Sequence, residues 1–158
     1  MMGLDMDFSK LQPQDVLDLA IFAEEEAHEQ YEFLAGAMTR HGAREVADFF
    51  HKMAAREELH RQQIAERRSA LYPGAVANLG NRALWGVEAP YNVTPADTMT
   101  AGDAFNIAMA AEKKAEAYYA AAMEQALPVE VTQLFAALRQ SEVEHQRMLE
   151  REQARRSS

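Results

Sequence analysis

Apolar residues recur in alternating steps of three and four along four stretches of the chain, the spacing that gives an α-helix one apolar face. These stretches predict helix A at about 13–40, helix B at about 43–71, helix C at about 100–126 and helix D at about 128–152. Prolines and glycines interrupt the pattern at about 72–99. A crossover of that length lets helices B and C run parallel. The pattern therefore predicts an all-α, single-domain four-helix bundle, in which two antiparallel pairs are joined by a long crossover.

Local signals mark where these helices begin and end. Pro13 suits the first turn of helix A, and Gly42 marks the turn into helix B. Thr100, followed three residues later by Asp103, indicates a capping box at the start of helix C. The basic residues from Arg151 onward are expected to fray.

Two pairs of ionisable residues interrupt the apolar faces of helices B and D. Glu57 and His60 lie three residues apart in helix B, and Glu142 and His145 have the same spacing in helix D. A Glu and a His at this spacing project from one side of a helix, so each pair can bind one metal ion. Two ions would need two further carboxylates from the other helices.

Helices A and C each supply such a carboxylate inside an apolar face. Glu24 and Glu112 are separated by 88 residues, as are Tyr31 and Tyr119, which follow them by seven residues each. The two Glu-x-x-His pairs are separated by 85 residues. The chain thus resembles an internal duplication, with Glu…Tyr followed by Glu-x-x-His in each half. We expect Glu24 and Glu112 to bridge the two ions.

A plain bundle with buried polar residues is the alternative interpretation of this pattern. It is costly, because unpaired carboxylates in an apolar layer lose their hydration and repel one another. For Tyr31 and Tyr119 two interpretations remain open, an ordinary core tyrosine or a hydrogen-bond donor that orients a carboxylate. A third Glu-x-x-His, Glu25 with His28, has no counterpart in the second half and is interpreted as surface.

Composition narrows the chemistry of the site and the kinds of partner. The chain has 158 residues, 48% of them hydrophobic, and no cysteine, so a metal must bind through oxygen and nitrogen. That donor set favours iron or manganese over a structural zinc site. A net charge of −9 argues against nucleic acid and against an anionic membrane surface. No apolar run reaches transmembrane length, and we expect a cytoplasmic protein.

The crossover contains the single tryptophan, Trp85, with Tyr91 close by. Residues 75–85 could form a short helix packed on the outside of the bundle. Alternatively, Trp85 and Tyr91 could form a partner surface or the mouth of a channel. The sequence leaves both interpretations open, with packing favoured.

These residues resemble the di-iron domain of rubrerythrins, which belong to the ferritin-like superfamily, over nearly the whole chain. The motifs that carry the resemblance are Glu24 with Tyr31, Glu57-x-x-His60, Glu112 with Tyr119, and Glu142-x-x-His145. The resemblance implies a ferritin-like four-helix bundle with two iron ions per chain, manganese or zinc being substitutes. It also implies redox chemistry with hydrogen peroxide or dioxygen, and a homodimer or larger assembly.

The resemblance also implies roles for individual residues. Glu57 and Glu142 would be terminal or bridging carboxylates beside the histidines, while Glu24 and Glu112 would complete the two iron shells. Two departures limit it. Without cysteine, the chain lacks the rubredoxin-type iron centre, so an external electron donor, rubredoxin-like or a flavoprotein, is expected. Rubrerythrins also carry an additional helix C carboxylate, for which Glu116 is the candidate here.

At the corresponding place, three residues after Glu112, this chain has Ala115. The ligand set therefore looks like the symmetric six-ligand set of bacterioferritin-type ferroxidase centres. We predict a non-haem di-iron oxidoreductase of peroxidase or ferroxidase type. An iron-storage protein and a metal-stabilised structural or regulatory bundle are the alternatives.

Overall fold

The computed structural model of the chain describes residues 6–85 and 96–157. Its α-helices are α1 (Pro13–Arg40), α2 (Arg44–Leu71), α3 (Ala101–Ala122) and α4 (Val129–Ser157), and short 3₁₀ helices lie at Leu79–Trp85 and Ala96–Thr98. No strand occurs in these two described ranges. The expected all-α helical bundle is confirmed. None of the described helices is both long and apolar enough to cross a membrane.

A tight turn at Gly42 connects α1 to α2. Its φ of +74° lies in the left-handed region, which glycine adopts without a Cβ clash. The Gly42 N–H donates to the Thr39 carbonyl at 3.0 Å, and the Ala43 N–H donates to the Met38 carbonyl at 2.8 Å. These two bonds satisfy the last carbonyls of α1. The chain therefore reverses at once, and α2 packs antiparallel against α1.

The predicted capping box forms at the start of α3. The Thr100 N–H donates to the Asp103 carboxylate, and the Asp103 N–H donates to Thr100 Oγ1, each at 3.0 Å. The helix ends at Ala122, earlier than the expected position near 126. The Gln125 N–H donates to the Ala122 carbonyl in a tighter, three-residue turn. Pro128 disfavours helical conformation in the residue before it, so the chain must turn before α4 begins.

The C-terminal part of α4 is longer than expected, since the helix continues to Ser157 instead of fraying from Arg151. Arg155 and Arg156 lie 3.5 and 3.2 Å from the Glu45 carboxylate at the start of α2. Cations in the last turn of a helix also interact favourably with its dipole. These contacts stabilise the last turns.

The apolar core is divided into two clusters at opposite ends of the bundle. One cluster includes Leu34, Met38, Val46, Phe50, Phe105 and Leu149. The other includes Val16, Leu17, Ile64, Tyr118, Val131 and Phe135. Along every helix, the predicted metal ligands fall between the residues of the two clusters. A polar layer therefore lies at mid-bundle, with apolar packing on both sides of it.

The described part of the crossover packs against the bundle. Trp85, which is 8% exposed, belongs to the second apolar cluster and meets the Tyr118 ring edge-on at 5.4 Å. Trp85 therefore packs on the bundle, as one of the two interpretations predicts. Tyr91 lies outside the described residues, so its predicted role stays a prediction.

Candidate metal centre

The polar layer consists of the six side chains that the sequence singles out as ligands. They are Glu24 of α1, Glu57 and His60 of α2, Glu112 of α3, and Glu142 and His145 of α4, and each is at most 8% exposed. Its position on the apolar face of its own helix already predicts that each side chain points into the bundle. The structure brings all six together.

The ligand atoms form two overlapping groups of four, within each of which they lie within 4.8 Å of one another, and Glu57, His60 and His145 form a further group of three. One group is Glu24, Glu57, His60 and Glu142, and the other is Glu57, Glu112, Glu142 and His145. His60 Nδ1 lies 3.5 Å from Glu24 Oε1, and His145 Nδ1 lies 3.2 Å from Glu112 Oε2. The arrangement suits a metal site.

Glu57 and Glu142 belong to both groups. Glu57 Oε1 lies 3.3 Å from His60 Nδ1 and 3.6 Å from His145 Nδ1, and Glu142 Oε1 lies 3.5 and 3.8 Å from the same two atoms. The expectation that Glu24 and Glu112 bridge is therefore not what the geometry favours. Because α2 and α4 are neighbours, their carboxylates lie between the two histidines.

The two imidazole rings lie side by side at the edge of the layer. The His60 and His145 ring centroids are 5.4 Å apart, and the rings are nearly parallel, with an angle of 9° between them. Both rings direct Nδ1 towards the carboxylates. The histidines thus form one wall of the centre on the side of α2 and α4.

Tyr31 and Tyr119 are hydrogen-bond donors to the carboxylates, in a crossed arrangement. The Tyr31 hydroxyl of α1 donates to Glu112 Oε2 of α3, and the Tyr119 hydroxyl of α3 donates to Glu24 Oε2 of α1, each at 2.5 Å. Burial, followed by the negative charge of Glu112 for Tyr31 and of Glu24 for Tyr119, raises both tyrosine pKa values well above their usual value. Each tyrosine therefore stays protonated and fixes one carboxylate oxygen, which leaves Glu24 Oε1 and Glu112 Oε1 without a hydrogen-bond partner among the described residues.

Each of the six residues keeps one buried polar atom without a hydrogen-bond partner among the described residues. These atoms are Glu24 Oε1, Glu57 Oε1, His60 Nδ1, Glu112 Oε1, Glu142 Oε1 and His145 Nδ1. An unsatisfied buried polar group costs about 1–3 kcal/mol, so such groups are rare in folded proteins. Six such atoms facing one space are the donor set that cations would satisfy, and the residues fit a metal centre.

The electrostatics of the carboxylates agree with this interpretation. Burial, and after it the charges of Glu112 and Glu24, raise the pKa of Glu57 well above its usual value. Burial and the charges of Glu57 and Glu112 raise the pKa of Glu142 in the same way. Bound cations would reverse this effect, because they stabilise the ionised carboxylates.

Comparisons with known proteins agree with the fold and with the ligand layer. A family model described as Rubrerythrin matches residues 15–153. The chain belongs to the rubrerythrin family. It is also similar to an uncharacterized conserved protein from Magnetospirillum magnetotacticum MS-1, whose crystal structure is known. The two are 28% identical with a TM-score of 0.72, over 89% of this chain and 92% of the other. A comparison with curated proteins gives no match.

Glu116, the further candidate ligand, lies outside the centre of this rubrerythrin. Its Oε1 accepts a hydrogen bond from Gln146 Nε2 at 2.8 Å, and its Oε2 lies 3.7 Å from Arg139 Nε. Glu116 follows Ala115 by one residue and therefore points about 100° away from it around α3. Ala115 is the residue that faces the ligand layer. His28 is also outside the centre, since its Nδ1 contacts the Ala54 carbonyl at 2.9 Å.

Two cavities lead to the centre from opposite sides. One, of about 80 Å³, lies between α1 and α3, and its lining includes Ala27, Trp85, Ala115, Glu57 and Glu142. The other, of about 260 Å³, lies between α2 and α4, and its lining includes Arg56, Gln63, Ser141 and both histidines.

Sequence reasoning missed both cavities, because their walls come from residues on neighbouring helices. The one signal available was the 88-residue offset, which relates Ala27 to Ala115 and Glu26 to Lys114 in the first cavity. Trp85 both packs on the bundle and lines this cavity.

Proposed function

We propose that this rubrerythrin-family protein is a di-iron oxidoreductase that reduces hydrogen peroxide or dioxygen. The observation that carries the proposal is the pair of overlapping ligand groups, each with one histidine, which share Glu57 and Glu142. A single-ion site would need only one such group. Two groups with shared carboxylates match a pair of ions held close enough to act on one small molecule.

The donor set supports iron as the metal. Each proposed ion position is surrounded by three carboxylates and one imidazole. This donor set suits iron or manganese better than it suits zinc, whose sites are typically rich in thiolate or histidine ligands. Four carboxylates also neutralise two divalent cations, so the loaded layer carries no net charge within the apolar bundle. Iron is the metal that the family resemblance favours.

Hydrogen bonds from two tyrosines would fix the orientation of the residues that hold the two iron ions. Tyr31 orients Glu112 and Tyr119 orients Glu24, while Glu57 and Glu142 belong to both ligand groups. When bound, two ferrous ions supply the two electrons that, with two protons, convert one hydrogen peroxide into two waters. Since the chain has no cysteine, we propose that a separate rubredoxin-like or flavin-containing donor returns the electrons.

Anaerobic loading with ferrous iron followed by optical titration tests the proposal. We expect two irons per chain and complete oxidation by one equivalent of hydrogen peroxide. The matched control is Glu144→Ala, which removes an exposed carboxylate two residues from Glu142 and should change neither value. A loaded protein whose spectrum responds to neither peroxide nor oxygen would reject the oxidoreductase and leave a metal-stabilised bundle.

A further inference from the structure

The cavity between α1 and α3 lies on the side of the centre where the shared carboxylates are accessible. Glu57 and Glu142 both contribute to its lining. Its walls are made by two pairs of alanines, Ala23 with Ala111 and Ala27 with Ala115, and each pair has the 88-residue offset of the internal duplication. Small side chains at all four positions leave open the space between the two helices directly above the ligand layer.

The mouth of this cavity is formed by larger and more polar residues. Glu26, Gln30, Trp85 and Lys114 all line it. Lys114 Nζ lies 4.4 Å from the centre of the Trp85 ring, and Trp85 is 8% exposed. The packing of Trp85 on Tyr118 fixes one edge of the opening. The Trp85 ring, fixed by its packing, restricts the passage to small molecules.

We propose that this cavity, which we call the alanine port, is the path by which a small oxidant such as hydrogen peroxide reaches the centre, and that Ala27 and Ala115 set its width. The inference rests on the proposed function. A space of about 80 Å³ holds several water-sized molecules, so peroxide or dioxygen fits while a larger organic substrate does not. The alanine methyl groups offer such a molecule no hydrogen bond. Beyond the polar mouth, the carboxylate face is therefore the first place where it can be bound.

The cavity between α2 and α4 is larger but meets the centre differently. The stacked rings of His60 and His145 line it, and their Nδ1 atoms face away from it towards the carboxylates. A molecule that entered there would meet the imidazole rings before it reached an ion.

Filling each cavity in turn tests the port. Ala27→Leu and Ala115→Leu narrow the alanine port from opposite helices, and Ala137→Leu, which fills part of the α2–α4 cavity from an exposed position, is the matched control. The probe is azide, a small linear anion, added to cobalt(II)-loaded protein. The change in the visible cobalt spectrum in a stopped-flow instrument gives the association rate.

We expect both port variants to slow azide association by about tenfold or more, because entry then requires the packed side chains to move first. Ala137→Leu should bind azide at the wild-type rate. Unchanged rates in Ala27→Leu and Ala115→Leu would overturn the port, and slowing by Ala137→Leu alone would place entry between α2 and α4. If Ala115→Leu does not retain cobalt, the azide association rates of Ala27→Leu and Ala111→Leu test the port in its place.

The same samples separate a failure of the port from a failure of the proposed function. Cobalt stoichiometry is measured first by titration of the absorbance. Two cobalt ions with an azide rate insensitive to the port variants would overturn the port alone. Two cobalt ions and a working port in a protein whose ferrous form is inert to peroxide would overturn the function and keep the port as a route for small ligands.

Discussion

The first helix pair, α1 and α2, and the second pair, α3 and α4, supply equivalent ligands but different surroundings. Across the ligand layer the contacts are reciprocal, since Tyr31 donates to Glu112 and Tyr119 donates to Glu24. At the mouth of the alanine port the symmetry is lost. The duplication offset there relates an acidic residue to a basic one, Glu26 to Lys114.

The difference shows which parts of a duplicated fold are constrained. The six candidate ligands keep a twofold arrangement, with one tyrosine-bound Glu and one Glu-x-x-His pair from each half. The crossover meets the bundle once, and the residues beside it must fit Trp85 without any counterpart on the other half. Since each group of four candidate ligands takes residues from both helix pairs, we also expect bound metal to link the two halves.

The largest expected effect concerns the carboxylates that are shared between the halves. Glu57→Ala and Glu142→Ala each remove a ligand from both groups and should abolish binding of both ions. Glu24→Ala and Glu112→Ala each remove a ligand from one group and should leave one ion bound. Metal content after ferrous loading measures this. If the Glu24 and Glu57 variants lose equal amounts of metal, the assignment of the shared carboxylates is wrong.

Removal of the metal should weaken the link between the halves. A ligand that binds only the folded state stabilises it by roughly 4 kcal/mol at a thousandfold excess over its dissociation constant. Chelation at pH 7 should therefore lower the Tm clearly, as followed by circular dichroism. Identical melting curves with and without chelator would show that the layer does not bind metal.

The pH dependence of this effect follows from the raised pKa values of Glu57 and Glu142 in the metal-free protein. A carboxyl group with a raised folded-state pKa contributes stability below its usual pKa of 4.5, and that contribution is lost as the pH rises through the folded value. The chelated protein should thus lose stability from these two groups as the pH rises above about 4.5. The Tm difference between loaded and chelated protein should shrink towards about pH 4, where protons displace the metal.

A smaller effect is expected from the crossed tyrosines. Tyr31→Phe and Tyr119→Phe keep the ring packing but release one oxygen of Glu112 or Glu24. Loss of such a bond to a ligand typically lowers metal affinity by about 10–100-fold. Competition with a chromogenic chelator measures the affinity. Equal effects of the two substitutions would support the reciprocal arrangement, and no effect of either would leave both as ordinary core tyrosines.

The smallest expected effect concerns the choice between oxidants. Ala115→Glu would place a carboxylate in the alanine port beside Glu57 and Glu142, and its negative charge should favour the diferric state. We expect a modest rise in the preference for peroxide over oxygen, measured as the ratio of stopped-flow oxidation rates. Glu116→Gln is the control, because Glu116 pairs with Gln146 and Arg139 outside the centre. A loss of peroxide preference in Glu116→Gln would show that Glu116 takes part after all.

The identity of the six candidate ligands could be predicted from the sequence, and so could the fold. Periodicity fixes the direction of each residue around its own helix, so Glu24 and Glu112 had to lie on apolar faces along with the two Glu-x-x-His pairs. Local capping chemistry likewise determined the start of α3 at Thr100. These features depend on residues within a few turns of one another, which is the range over which sequence spacing determines geometry.

Only the tertiary structure decided which residues meet across helices. Because α2 lies beside α4, Glu57 and Glu142 are the carboxylates that both ligand groups share. Because α1 lies beside α3, each tyrosine donates to a carboxylate of the other helix, and the alanine port lies between these two helices. The same packing places Glu116 outside the centre and Ala115 above it. The spacing along one helix determines the direction in which a side chain points, but the arrangement of all four helices determines what lies opposite, since that depends on how the whole apolar surface packs.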